Sequence, residues 1–281
     1  MCLVAFAIHA SERWPLVIAA NRDEAFDRPT LPLQRWTGPS GETIFSGRDL
    51  RGGGTWMGVS QAGRAAFLTN VREGLASAIP APKSRGDLVM RWLESDIPAA
   101  EFRRFINPVH YGGFNLVVGD WKTQAWTWLG NRPASGSGDK TGWAFRDLAP
   151  GIYGLSNAAL DTPWPKTMAL RAALADALQA GQSANGLESI LWQALASRKE
   201  AEEGSLPDTG VPLQMEKALS SAFVYAPERA YGTRCSTLLI GEQNDTPQAL
   251  LNLQIQEQTF QPSRIPENSS RIMRQNLRWP A

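Results

Sequence analysis

Two apolar runs open the chain, residues 3–9 (LVAFAIH) and 16–21 (LVIAAN), on either side of the polar Ser11-Glu12-Arg13. Short runs of β-compatible residues around a polar turn predict a hairpin of two buried strands. Residues 43–47 and 55–59 predict a second hairpin, joined through Arg51-Gly52-Gly53-Gly54, and 65–69 predict a strand running into Asn70. The period then changes. Ser84 is placed to cap a helix over 85–94 whose Leu88, Val89, Trp92 and Leu93 share one face, and Pro98 opens a shorter one over 98–106. Strand patterns return at 114–118, 124–128 and 152–155. Pro165 begins a long helical stretch, 187–202 predicts another helix, and 204–212 is rich in turn residues. Strands at 236–240 and 249–255 precede a polar, proline-containing tail from about residue 262. Strands, then helices, then strands predict an α+β arrangement in a single domain over 1–281 rather than an alternating parallel sheet.

Composition narrows the function classes. Hydrophobic residues make up 43% of the 281 and charged residues 20%, enough apolar material for a sizeable core. The 28 basic and 27 acidic residues leave a formal charge of +1, so no overall basic field exists to bind nucleic acid or an anionic membrane. The first apolar run is too short to span a bilayer. It has no basic segment before it and is followed by Glu12 and Arg13, unlike a secretory signal. Two cysteines and two histidines cannot by themselves build a structural zinc site, and His9 and His110 have no acidic or thiol neighbours at ligand spacing. No metal and no cofactor is therefore expected. A disulfide scaffold does not suit a chain this long, which points to a reducing, cytoplasmic setting. The partner left is a small-molecule substrate or ligand. Trp126, Trp128 and Trp143 are candidates to line an apolar pocket, with core packing the expected role for most of the eleven tryptophans.

Cys2 is the residue with most chemical promise. A small residue after Met1 permits removal of the initiator, which leaves Cys2 with a free α-amine of unperturbed pKa about 7.7–8.0. Thiol and general base would then share one residue. If the first hairpin is symmetric about Glu12-Arg13, paired residue numbers sum to 25 and Cys2 lies opposite Asp23, with Cβ atoms roughly 4.5–5.5 Å apart. A bulge would instead bring Arg22 to that place. A guanidinium there lowers the thiol pKa, and a carboxylate holds the amine. Arg22 and Asp23, being adjacent, should point to opposite faces of a regular strand.

Cys2 with its apolar strand, followed by Asn21-Arg22-Asp23-Glu24, resembles the signature of the NRDE-motif proteins, the transport-and-Golgi-organisation 2 family. The resemblance extends through Gly47-Arg48-Asp49, Gly53-Gly54-Thr55-Trp56, Leu68-Thr69-Asn70-Val71-Arg72 and Gly113-Phe114-Asn115-Leu116. It continues in Leu155-Ser156-Asn157, Leu160-Asp161-Thr162-Pro163-Trp164-Pro165-Lys166, Leu206-Pro207-Asp208-Thr209-Gly210-Val211 and Tyr231-Gly232-Thr233-Arg234. What it implies is an N-terminal-nucleophile hydrolase fold, a four-layer αββα sandwich of two antiparallel sheets between helical layers. The related bile-salt hydrolases and penicillin acylases imply a catalytic set of Cys2, Arg22, Asp23, Asn157 and Arg234, with Asn21, Glu24 and Asn70 toward the substrate. In that scheme Cys2 attacks a carbonyl, its amine shuttles the proton, Asn157 and Asn70 donate to the oxyanion, and the arginines stabilise thiolate or substrate charge. The implied function is a cysteine amidohydrolase acting on a small amide or acyl substrate. The alternative is a non-catalytic haem or acyl-lipid binding protein, a role suggested for animal members of the family.

Overall fold

The computed structural model describes residues 2–74, 81–132, 142–180, 183–243, 250–260 and 272–279. The opening hairpin is β1 (Cys2–Ile8) and β2 (Leu16–Ala25), and every residue of β1 is buried. Its unbroken apolar character follows from having both faces covered. Val4, Phe6, Ile8, Leu16 and Ile18 enter one core, while Leu3, Ala5, Ala7, Val17 and Ala19 enter another. The hairpin register corrects the expected pairing: Cys2 stands opposite Arg22, and Ile8 opposite Leu16. His9 adopts φ 47° and its N–H donates to the Pro15 carbonyl at 2.7 Å, so the turn centres on Glu12 and the paired numbers sum to 24.

Two antiparallel sheets carry the described residues. The first runs β10 (Gly151–Leu155), β1, β2, β12 (Tyr231–Gln243), β13 (Leu251–Thr259) and β14 (Ile272–Trp279), with the two-residue β11 (Tyr225–Ala226) beside β12. The second runs in order from β3 (Thr30–Thr37) through β4 (Thr43–Asp49), β5 (Met57–Ser60), β6 (Arg64–Asn70), β7 (Phe114–Asp120) and β8 (Ala125–Gly130) to β9 (Ala144–Asp147). One apolar core draws on both sheets, with Phe6 meeting Phe67 edge-on at 5.0 Å. A second core lies between the other sheet, α1 (Gly86–Leu93) and α2 (Ala99–Phe102). A third joins the first sheet to α3 (Pro165–Ala180) and α4 (Ala184–Leu195). A short α5 (Leu213–Ala218) follows the turn-rich stretch.

The differences from the sequence reading have physical causes. β3, β9 and β14 lie at sheet edges and bury few side chains, so the pattern there is weak. β3 also contains Pro32, which cannot donate to a ladder, and its register slips between Leu31 and Gln34. The polar tail is not wholly a solvated segment: residues 272–279 pair with β13 and bury Leu277 and Trp279, while 261–271 lie outside the described residues. The helix expected over 187–202 ends at Leu195. Trp126 and Trp143 are buried in cores, as expected of most tryptophans here.

Candidate active site

The strand geometry brings Cys2 and Arg22 side by side at the hairpin's open end, both at the border of a cleft of about 490 Å³. The opposite wall is built by the loop after β4 and by the start of α1. Asp49 organises that loop, its carboxylate accepting from the Arg51 and Gly52 N–H groups and from the Arg28 guanidinium. Gly53 turns at φ +75°. At Gly54 a Cβ would meet the Gly86 carbonyl oxygen at 2.4 Å, so glycine is what lets α1 approach. The glycine run is thus a turn that places Thr55 and Trp56 in the cleft wall. A second opening of about 390 Å³ beside Trp14 and Glu242 is lined by no thiol and no histidine.

Arg22 lies over the Trp56 ring at 4.5 Å and pairs with Glu24 at 3.7 Å. Burial works against the Glu24 carboxylate, but the terminal ammonium, the Ala25 N–H, Arg22 and Arg28 together hold it below the usual value. The Cys2 thiol behaves differently from expectation. Burial pushes its pKa up; the terminal ammonium and Arg22 pull down, and Asp23 and Glu24 push up. At 7% exposure, desolvation outweighs the guanidinium beside it.

Asp23 points to the helical face, as alternation requires. Its Oδ1 accepts from the Thr233 hydroxyl at 2.7 Å, and burial raises its pKa against the pull of Lys166, the terminal ammonium, the Thr233 hydrogen bond and Arg72. Asn21 faces the same way. Its Nδ2 donates to the Leu195 and Ala222 carbonyls, each at 2.8 Å, and its Oδ1 accepts from Ser236. The structure therefore gives Asn21 a tie between strand and helical layer, away from the cleft lining. Asn70, at the end of β6, lines the cleft, and Asn157 Nδ2 donates to the Asn70 carbonyl at 2.8 Å. Ser156, next to it, donates to the Cys2 carbonyl at 3.1 Å. Arg234 is the residue most displaced from its expected place. It sits where the β2–β12 register shifts between Thr233 and Cys235, and its Nη1 donates to the carbonyls of Ala25, Phe26 and Arg28. It clamps the chain leaving β2 and is absent from the cleft lining.

Five cations were missed as site residues, and two of them, Arg28 and Arg51, line the cleft around Asp49. Lys83 and Arg85 line the cleft at the start of α1, where no motif marked them. Lys166 lies buried on the Asp23 side and is pulled to about 8 by desolvation, with Asp23 opposing. Its signal was its place in the Trp164-Pro165-Lys166 run. Among the described residues no cluster of three or more His, Cys, Asp or Glu side chains is arranged to hold a metal ion. None of their helices is long and apolar enough to cross a membrane.

Residues 1–261 match the family model described as Transport and Golgi organisation 2. The human Transport and Golgi organization protein 2 homolog is 31% identical over 259 residues, covering 85% of this chain and 88% of that protein. Among solved structures, a Caenorhabditis elegans N-acylethanolamine-hydrolyzing acid amidase ortholog aligns at TM-score 0.45 and 11% identity, over 85% of this chain and 92% of its own. A mutant conjugated bile acid hydrolase from Clostridium perfringens aligns at TM-score 0.45 and 9% identity, over 98% of this chain and 92% of its own.

Proposed function

The chain belongs to the Transport and Golgi organisation 2 family, and from that premise we propose that it is an N-terminal cysteine amidohydrolase acting on a small amide, with Cys2 as nucleophile. The observation that carries this reading is the placement of Cys2 beside Arg22 at the border of the cleft, with Glu24 and Asn70 also in its lining. Three apolar cores, one between the sheets and one on each helical side, support the αββα layering that such enzymes use.

In this mechanism Met1 is removed and the α-amine of Cys2 takes the thiol proton. Removal also moves the terminal charge onto Cys2 itself, where it opposes the upward push of burial on the thiol. The thiolate attacks the amide carbonyl, forming a C–S bond and an oxyanion. Asn70 donates to that oxyanion from the cleft wall while Asn157 fixes the Asn70 main chain. Collapse breaks the C–N bond as the ammonium returns its proton to the leaving amine, and water then hydrolyses the thioester to an acid and the free thiol. Asp23 anchors the amine, and Arg22, braced on Trp56, faces substrate charge. The haem-binding alternative needs an axial ligand from His9, His110, Cys2 or Cys235; neither histidine lines the cleft, so there the ligand would have to be the Cys2 thiolate, while His9 stacks on Trp121 and bonds Gln124.

The test is mass spectrometry of the full chain with a panel of acyl amides. The mature protein should lack Met1 and gain an acyl adduct on Cys2, and Cys2→Ala should gain none while remaining folded. Retention of Met1, or an adduct that survives Cys2→Ala, would sink the mechanism.

A further inference from the structure

Arg85 stands at the start of α1, and its guanidinium reaches the chain entering β7. Nη1 donates to the Gly113 carbonyl at 3.2 Å, and a Cβ at Gly112 would meet Nη2 at 3.4 Å, so the guanidinium packs over a glycine pair. A guanidinium carries five N–H donors. The bond to Gly113 is the only one Arg85 makes among the described residues. The cleft that holds Cys2 is lined by five cations and three carboxylates, in a chain whose formal charge is only +1. Those carboxylates are engaged elsewhere. Asp49 takes Arg28 at 2.7 Å, Glu24 faces Arg22 at 3.7 Å, and Asp23 accepts from Thr233. Arg51 pairs with Asp27, both exposed. Outside the lining, Glu73 is held by Arg132 and by the Gly113 N–H. Among the described residues no carboxylate forms an ion pair with Arg85, or with Lys83 in the same wall. A part-buried guanidinium without a counter-ion favours an anion that can come to it, and its planar fork suits a carboxylate or phosphate.

We propose that Arg85 is the anion-recognising residue of the cleft, and that the amide handled at Cys2 carries a carboxylate or phosphate beyond its scissile bond. That the anion belongs to an amide rests on the amidohydrolase reading above. The anion site itself stands on the placement of Arg85, fixed by Gly112 and Gly113 and left without a carboxylate partner.

Iodoacetate and iodoacetamide are thiol reagents of similar size that differ by one negative charge, and they probe the cleft without a substrate. Their rates at Cys2 in the full chain are read by mass spectrometry of the peptide that carries it. Both rates scale with the thiolate fraction, so their ratio cancels any change in the thiol pKa. Arg85→Gln should lower the iodoacetate-to-iodoacetamide ratio at least about threefold at low salt. Arg85→Lys should keep the ratio within about twofold of wild type, because the charge is retained. Arg91→Gln makes the same charge change on α1 outside the cleft lining, and it should leave the ratio nearly unchanged. An unchanged ratio in folded Arg85→Gln, or an equal fall in Arg91→Gln, overturns the anion site. If Arg85→Gln does not fold, the unsubstituted chain decides: inorganic phosphate should lower the ratio more than chloride does at equal ionic strength, and equal effects refute the site. Among acyl amides that acylate Cys2, those bearing a carboxylate should react faster than their uncharged analogues, and Arg85→Gln should erase the difference. No such preference in the wild type overturns the substrate class. The alkylation ratio needs no acyl transfer, so absence of every acyl adduct is a separate result that bears on the hydrolase reading alone.

Discussion

Asn21 and Arg22 are neighbours in sequence, and alternation along β2 gives them different work. Arg22 joins Cys2 at the cleft, whereas Asn21 is turned toward the helices and satisfies two buried carbonyls. Replacing Asn21 by alanine leaves those carbonyls and the Ser236 hydroxyl without their partner, so Asn21→Ala should destabilise the fold by about 2–4 kcal/mol. Urea denaturation measures that cost, and the rate of Cys2 alkylation in the folded variant should stay within about twofold of wild type. A large loss of thiol reactivity with little loss of stability would return Asn21 to the site. That Arg22 and Asp23 return beside Cys2 was legible once a hairpin was assumed; which of them stands opposite it was not, because that turns on where the turn centres. The direction of the thiol pKa was not, because it depends on how completely the cleft wall covers Cys2. The place of Arg234 was not either, since a one-residue bulge beside it decides which way its guanidinium turns.

At the scale of elements, the segment leaving β6 is held to α5 by a buried ion pair between Arg72 and Glu216, with exposures of 6% and 3%. Thr209 adds its N–H and hydroxyl to the same carboxylate, and the Arg72 N–H donates to the Asn157 carbonyl at 2.8 Å. Arg72 thus joins the Asn70 wall of the cleft to the Asn157 turn and to α5. Glu216→Ala removes the carboxylate paired with a buried guanidinium and should cost about 3–5 kcal/mol. Arg72→Met combined with Glu216→Leu should recover most of that loss, because an apolar pair of similar volume removes the desolvation problem. A double variant as unstable as Glu216→Ala would show that the cost lies in lost packing. Of the elements themselves, β1, β2 and α3 were plain in the sequence, since long runs repeat their signal many times. β3 and β14 were not, because an edge strand meets one neighbour and buries little, leaving a pattern close to that of a loop.

The whole molecule depends on what lies between its sheets, and not all of it is apolar. Glu257 of β13 is buried in the inter-sheet space, where its Oε1 accepts from the Leu33 N–H at 2.7 Å, at the irregular part of β3. Its Oε2 accepts from Thr237 at 3.4 Å, and the Cys235 thiol also donates to the carboxyl. The α+β arrangement was legible from the order of strand and helix patterns, and the two antiparallel sheets from the family resemblance. This bridge was not, because nothing in a local window tells which sheet a glutamate will face across the core. Burial raises its pKa to about 7, against 4.5 for an ordinary glutamate, with the Leu33, Cys235 and Thr237 hydrogen bonds and Arg22 opposing. A folded-state pKa above the unfolded one means that the native state binds the extra proton. The stability linked to that proton is fully present below about pH 4.5 and is lost as pH rises through about 7. A difference of this size corresponds to about 3 kcal/mol. Glu257→Gln keeps an acceptor for Leu33 and carries no charge, so its stability should lack this step. Between pH 4.5 and 8 the stability of Glu257→Gln relative to wild type should therefore improve by about 2–3 kcal/mol, read from urea midpoints at the two pH values. Parallel pH profiles for the two chains would mean that Glu257 titrates as an ordinary carboxylate, and that its contacts across the sheets are made by the charged form.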